Sequence, residues 1–355
     1  MYNHLLPLNK NIKIILNYVI GPLVFCLLAW SIYQQLYRQP NWQDSLQQLL
    51  FAIKGPALWQ LLLVIAAMLL NWGIEARKWQ LVINRIQPIS LLQSFKAIFT
   101  GNTLAFFTPN RIGEYMGRIL YIPEGKRIQA ISLTVVCSMA QLIVTLVAGA
   151  GALLYIRQVQ AGKAGGETGI LLWTDAVLSV TIVLAALLTL FYFRFAWLVR
   201  WMEKIPRIER FVTYIRVLDS FNATILWRIL SLSVARYAVF LGQYYLLFAV
   251  FNVSLSLAQV AGSMGVVFLV LAIMPSIAAL TDLGVRWKAS IELVQFFSDN
   301  VIGVLATSLS IWFINLVIPA LIGSLLILSV RIFRYGNRIE GPGSGNNGPP
   351  TGRDL

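Results

Sequence analysis

Apolar residues in this chain form long blocks, which shorter polar segments separate. Six of these blocks reach about 18 residues or more, the length that an α-helix needs to cross the hydrocarbon core of a bilayer. They predict membrane-spanning helices at 14–33, 57–74, 128–156, 170–193, 224–250 and 301–330. The pattern therefore predicts an all-α, polytopic membrane protein with about six full transmembrane helices.

Two further apolar blocks end near a proline and are followed by an acidic residue with an arginine four positions later. The members of this repeated pattern are block 91–107 with Pro109, Glu114 and Arg118, and block 257–274 with Pro275, Asp282 and Arg286. Proline removes a helical hydrogen bond and interrupts the helix. Paired, Pro-interrupted segments in the two halves of a membrane protein indicate a transporter site. We expect two re-entrant segments, related as an inverted repeat.

Composition agrees with a membrane protein, because 58% of the residues are hydrophobic and only 12% are charged, which excludes an ordinary soluble domain. We predict one flippase-like membrane domain over 1–335 and a disordered cytoplasmic tail over 336–355, where Gly and Pro are abundant. Cys26 and Cys137 each lie alone in an apolar block, so we expect packed thiols and no disulfide.

The net charge of +14 is distributed unevenly along the chain. If the amino terminus is cytoplasmic and both re-entrant segments return to their own side, most Lys and Arg residues fall in cytoplasmic segments. This bias is the positive-inside rule. It predicts a multi-pass protein of the bacterial inner (plasma) membrane with both termini in the cytoplasm. Membrane orientation and anionic lipid heads explain the basic surplus, and no nucleic-acid partner is expected.

The two acid–arginine pairs are the candidate site. Glu114 with Arg118, and Asp282 with Arg286, are spaced i, i+4 and can pair on one helical face. One interpretation is a polar site at mid-depth that holds a charged lipid head, and the other is a structural staple at the membrane surface. The predicted substrate-binding residues are Pro109, Asn110, Arg111, Gly113, Glu114, Arg118, Arg236, Thr281, Asp282, Gly284 and Arg286.

Arg236 lies near the middle of block 224–250, where an arginine costs roughly 2.5–3.5 kcal/mol on insertion scales. We therefore expect it to face the bundle interior and to have a partner. The candidate partners are Asp175, Asp282, Glu114 and a lipid phosphate. The alternative is a helix shifted by a few residues, in which Arg236 extends to the interface. Glu75 and Arg77, which follow block 57–74, are interpreted as part of an interfacial belt.

Catalytic signatures are missing from the sequence. There is no His-Glu-x-x-His, Gly-x-Ser-x-Gly, Walker or dinucleotide-binding motif. The only histidine, His4, lies in the polar amino terminus, and no cluster has metal-ligand spacing. We expect no catalytic residues, no cofactor and no bound metal.

Several motifs together resemble one known family, the lysylphosphatidylglycerol synthase transmembrane-region family. These motifs are Asn71-Trp72 with Glu75-x-Arg77-Lys78-Trp79, Ser94-Phe95-Lys96-Ala97, Phe107–Glu114 and Leu280–Arg286. The resemblance covers residues 10–335 and is most specific at Pro109–Arg118. It implies a polytopic domain that handles aminoacylated phospholipids or other polar lipids. The aminoacyl-transferase domain of the family's synthases is absent, so synthase activity is not expected.

Three hypotheses for function follow. The first is a flippase that moves an anionic or aminoacylated phospholipid, or a lipid-linked precursor, across the membrane. The second is a lipid-modifying membrane transferase that uses Glu114 or Asp282 as a base. The third is a non-catalytic scaffold that regulates a lipid or envelope pathway, with a lipid-synthesis enzyme as its partner. We favour the flippase.

Overall fold

The computed structural model describes residues 57–162, 168–194, 221–274 and 279–336, together with a few single residues before 57. The predicted crossing at 14–33, Pro275 and positions 337–355 of the predicted tail lie outside the described residues. The predicted boundary between domain and tail therefore stays a prediction.

The described residues are helical and contain no strand. In chain order the helices are α1 (Leu58–Ile83), α2 (Leu91–Phe107), α3 (Gly113–Ile119), α4 (Arg127–Ala161), α5 (Thr168–Phe193), α6 (Ala223–Val250), α7 (Leu257–Ile273), α8 (Ala279–Val294), α9 (Val301–Trp312) and α10 (Ile318–Gly336). A π-helical turn, Phe313–Val317, joins α9 to α10 without a break.

Five helical segments in the described part of the chain are long and apolar enough to cross a membrane. They are Leu58–Ile83, Glu124–Ala161, Leu172–Phe193, Ala223–Val250 and Val301–Ile327. Each overlaps one of the predicted crossings, so the prediction of a polytopic all-α membrane protein is confirmed. The helices α2 and α7 are shorter, at 17 residues each.

The two halves of the bundle run in opposite directions. The Gln243 side-chain amide on α6 donates to the Val64 carbonyl on α1 at 3.0 Å. Further along α1, the Lys78 ammonium lies 3.4 Å from the Ser233 hydroxyl on α6. Residues that lie later in α1 therefore contact residues that lie earlier in α6, so the two helices are antiparallel. Since each of these helices precedes one of the proline breaks, this antiparallel contact is the relation that an inverted repeat requires.

Hairpin 1, formed by α2, the turn at 108–112 and α3, enters the bundle and returns to the same side. Helix α3 packs back along α2, with Gly113 beside Leu104 and Gly117 against the backbone of Gly101. Beyond α3, the Lys126 ammonium donates to the Ile86 carbonyl at 2.6 Å, close to the start of α2. The segment is therefore re-entrant.

Hairpin 2 comprises α7 and α8, which pack against each other in the same way. The Ser263 hydroxyl on α7 lies 3.5 Å from the Leu293 carbonyl on α8. After α8, the Asn300 amide donates to the Phe251 and Asn252 carbonyls at 3.1 Å each, next to the start of α7. Because α1 and α6 are antiparallel, the two hairpins enter from opposite sides of the bundle.

Local sequence starts both hairpins in the same way. Ser90 before α2 and Ser256 before α7 each form a capping box with a glutamine three residues later. Such a box satisfies two backbone N–H groups that the first helical turn leaves free. Each serine also lies at the same distance in sequence before its proline, Pro109 or Pro275.

Each hairpin packs against a long helix of the other half. On α2, the Thr103 hydroxyl donates to the Ala320 carbonyl of α10 at 2.7 Å. On α7, Leu269 packs around Gly149 of α4. Because each hairpin contacts a helix of the other half, both hairpins meet in the middle of the bundle, where small residues allow close helix contacts.

Candidate functional site

A polar cavity of about 190 Å³ lies between the two hairpins. Its lining consists of Trp72, Arg111, Glu114, Arg236, Phe240, Asp282, Arg286, Ile311, Trp312, Asn315 and Leu316. Trp72, Arg236 and Asn315 lie near the middles of three membrane-length helical segments. The cavity therefore lies at about mid-depth, where polar groups are costly unless they have a function.

Glu75 is the centre of a buried cluster of ion pairs behind the cavity. It is only 4% exposed, and three cations contact its carboxylate. These are the Lys78 ammonium at 2.8 Å, an Arg118 guanidinium nitrogen at 3.0 Å and an Arg236 guanidinium nitrogen at 3.0 Å. The cations come from α1, α3 and α6, so one carboxylate links hairpin 1 to the antiparallel helix pair.

Arg236 faces the interior, as the interior interpretation predicts, but its partners differ from those expected. Its Nη1 bonds Glu75 and its Nε donates to the Asn71 side-chain oxygen at 2.8 Å. The guanidinium carbon lies 5.4 Å from the ring centroid of Trp72, close enough for a cation–π interaction. Within the described residues, its Nη2 has no hydrogen-bond partner.

The three carboxylates predicted as partners of Arg236 are engaged elsewhere, and the fourth candidate, a lipid phosphate, stays a prediction. Asp175 pairs with Arg157, Glu114 pairs with Arg118 and Arg111, and Asp282 pairs with Arg286. The prediction was wrong in this detail because α1 continues to Ile83 and does not end near 74, which places Glu75 inside a helix.

Arg118 does not line the cavity, although the sequence placed it among the substrate-binding residues. It is 1% exposed and bonds the carboxylates of both Glu75 and Glu114. Glu75 belongs to α1, so the i, i+4 spacing within α3, which predicted the pair with Glu114, could not predict this contact. Arg118 therefore positions Glu114 and hairpin 1, and it is not exposed to a ligand.

The tip of hairpin 1 has an unusual backbone. Asn110 and Arg111 have φ angles of 51° and 57°, in the left-handed region that residues with a Cβ rarely adopt. Arg111 then reaches into the cavity, where its Nη2 donates to the Asn102 side-chain oxygen at 2.9 Å. The Asn102 amide in turn donates to the Leu316 carbonyl at 3.1 Å, in the π-helical turn. Strained backbone and π-helical turns both concentrate at functional sites.

We predict opposite consequences for two glycine substitutions at this tip. Asn110→Gly should raise thermal stability slightly, because glycine adopts positive φ without steric cost. Arg111→Gly should keep the fold for the same reason but bind an anionic ligand more weakly, because the guanidinium is removed. Melting temperature in detergent measures stability, and its rise on addition of a short-chain anionic phospholipid measures binding. An equal rise for both variants would show that the Arg111 side chain is unnecessary.

The second motif completes the cavity wall. Arg286 bonds Asp282 at 3.0 Å and donates to the Tyr244 hydroxyl at 3.0 Å. Gly284 has open space where a Cβ would lie, so this glycine does not serve the close helix contact that Gly113 and Gly117 serve. The side chain of Thr281 lies outside the described residues.

Several polar atoms of the cavity wall have no hydrogen-bond partner in the described part of the chain. They are the indole nitrogens of Trp72 and Trp312, Nε of Arg286 and Oδ1 of Asn315. Buried polar groups are normally paired, so each unpaired one requires an explanation. Each of these atoms is almost completely buried, so none of them is exposed to the space inside the cavity.

The arrangement suits recognition of a charged group, and it offers no evident metal site. Among the described residues, no group of three or more His, Cys, Asp or Glu side chains could hold a metal ion.

A family model described as the lysylphosphatidylglycerol synthase TM region matches residues 14–286, a range that includes both duplicated motifs, Glu75 and Arg236. No curated protein matches the chain.

Proposed function

Since the chain belongs to the lysylphosphatidylglycerol synthase transmembrane-region family, we propose that it is a flippase that moves a polar lipid or lipid-linked precursor across a bacterial inner membrane. The observation that most supports this proposal is that two hairpins, which enter from opposite sides of the bundle, together line one cavity. Sites at the interface of inverted repeats, near the bilayer midplane, are typical of transporters.

The proposed movement is alternating access. The lipid head enters the cavity while its acyl chains remain in the surrounding bilayer. Arg111 and Glu114 belong to hairpin 1, and Asp282 and Arg286 belong to hairpin 2. Since each hairpin returns to its own side, displacement of one hairpin would open the cavity to that side while the other hairpin keeps it closed.

The ion pairs explain how an empty cavity remains stable. Glu114 and Asp282 neutralise neighbouring arginines when no head is bound. A phosphate brings its own negative charge and competes for the guanidinium groups. Arg236 is already oriented by Glu75 and Asn71, so it loses little conformational freedom when its free nitrogen binds a phosphate oxygen.

The test is lipid movement in vesicles that contain the purified protein and a trace of lipid labelled on one acyl chain. We predict that Arg236→Gln lowers the rate about tenfold or more, because a hydrogen bond to a charged group contributes about 1.5–3 kcal/mol and 1.4 kcal/mol corresponds to a factor of ten. The fold should persist, since Lys78 and Arg118 still balance Glu75.

Arg157→Gln is the matched control, because it removes an arginine from an exposed ion pair away from the cavity. It should move lipid at the wild-type rate. Wild-type protein that moves no lipid faster than protein-free vesicles would refute the proposal. Equal rates for wild type and Arg236→Gln would refute the role of this cavity.

A further inference from the structure

The charged groups at and behind the cavity do not balance. Five cations take part, namely Lys78, Arg111, Arg118, Arg236 and Arg286, against the carboxylates of Glu75, Glu114 and Asp282. Within the described residues, two positive charges remain without a counter-charge.

Four of the five cations have mostly buried side chains, whereas Arg111 is 42% exposed. Trp72, Phe240 and Trp312 form much of the cavity wall, and the site is at mid-depth. Charges inside a membrane are normally paired, because apolar surroundings stabilise them poorly. A ligand with two negative charges would balance the site, whereas a ligand with a single negative charge would leave one positive charge unbalanced.

Three guanidinium groups line the cavity, those of Arg111, Arg236 and Arg286. Guanidinium N–H groups donate hydrogen bonds and cannot accept them. Phosphate oxygens only accept from them, and guanidinium binds phosphate with paired hydrogen bonds. The donor set therefore complements phosphate better than a sugar hydroxyl or an amine.

The size of the cavity restricts the ligand further. Its volume of about 190 Å³ is below the roughly 300–1,000 Å³ of ordinary small-molecule sites. A compact head fits, and the acyl chains must lie outside. Two negative charges within so small a volume belong to one phosphate monoester, which carries about −1.5 to −2 at pH 7, or to a diphosphate.

From charge, donors and volume together, we infer that the cavity selects a lipid whose head is a phosphate monoester or a diphosphate. This inference rests on the proposed function and names its substrate class. A lipid whose head has a net positive charge, such as a lysine ester of phosphatidylglycerol, would add to the excess.

The experiment compares acyl-labelled lipids at trace level in phosphatidylcholine vesicles that contain the whole protein. The arms are phosphatidic acid, a prenyl diphosphate, phosphatidylglycerol, lysylphosphatidylglycerol and phosphatidylcholine. Phosphatidic acid has a phosphate monoester head and the prenyl lipid has a diphosphate head, so these two arms distinguish the two candidate heads. At least one should move about tenfold faster than phosphatidylglycerol, and lysylphosphatidylglycerol should be among the slowest. Equal rates for all five lipids would overturn the inference and leave the flippase proposal intact.

A binding measurement distinguishes failure of the inferred head preference from failure of the flippase proposal. A ligand that binds only the folded protein raises its melting temperature, so short-chain versions of the same lipids are added to the protein in detergent. If phosphatidic acid or the diphosphate raises the melting temperature and no lipid moves in vesicles, the head preference stands and the flippase proposal fails. If phosphatidylcholine raises it equally, the head preference fails.

Charge variants give an independent check. Arg111→Gln removes one of the two excess charges and should lower the ratio of dianionic to monoanionic lipid movement by about tenfold. Glu114→Gln adds one excess charge and should raise that ratio. An unchanged ratio in both variants would show that charge balance does not set the selectivity.

Discussion

Glu75→Gln is expected to lower the free energy of unfolding by about 3–5 kcal/mol, the cost of breaking a buried ion pair by removing one partner. The glutamine side chain occupies nearly the same volume, so the effect would come from charge. Lys78, Arg118 and Arg236 would lose the carboxylate that all three contact. Of these, Lys78 and Arg118 are each 1% exposed, which leaves them without water as a substitute. Equilibrium unfolding in mixed detergent measures the loss.

Two further variants identify the cause. Asp175→Asn removes the carboxylate of the exposed pair with Arg157, where water can solvate the remaining charge, so it should hardly change stability. Glu75→Gln combined with Arg236→Gln removes one charge of each sign and should be more stable than Glu75→Gln alone. If Glu75→Gln is as stable as Asp175→Asn, the cluster does not hold the helices together.

Gly117→Ala is expected to destabilise hairpin 1 by about 1–3 kcal/mol or more, the usual cost of overpacking. A Cβ at this position would lie 2.7 Å from the Thr100 carbonyl carbon and would also meet the backbone of Gly101. Backbone atoms cannot move aside as the end of a flexible side chain can, so α3 would shift away from α2. The shift would also displace Arg118, the next residue, from Glu75.

The control for this prediction lies in the second motif. Gly284 has no atom within 4 Å of a Cβ built on it, so Gly284→Ala should leave the melting temperature in detergent unchanged or slightly raised. Helix propensity favours alanine over glycine by about 1 kcal/mol. A loss of stability in Gly284→Ala as large as that in Gly117→Ala would refute the steric explanation.

Hydrophobic patterning predicted the membrane-spanning segments well, because a helix that crosses the hydrocarbon core needs about 20 predominantly apolar residues. Prolines at 109 and 275 indicated where two of the shorter helices stop. The inverted relation of the two halves was also predictable, since three predicted crossings, an odd number, separate the two Pro–acid–Arg patterns. The crossings and the proline breaks can each be identified from a single segment of the chain.

Glu75 shows where sequence reasoning failed. Its neighbours Trp72, Arg77 and Trp79 are typical of an interfacial belt, and the apolar block seemed to end before it. Lys78, three residues later on the same helical face, was the available signal, since an i, i+3 pair with a buried acid can extend a helix beyond its apolar block. The partners on α3 and α6 were not available from any local pattern.

The sequence by itself determined the family, the all-helical membrane architecture, the positions of both proline breaks and the five charged residues that line the cavity. Only the tertiary structure decided which charges pair, because a guanidinium bonds whichever carboxylate the packing of other helices brings within about 3 Å. For this reason Arg118 is buried beside Glu75, while Arg111 and Arg286 face the cavity from opposite halves of the chain. Helix formation depends on local sequence, whereas ion pairing depends on distances between segments far apart in the chain.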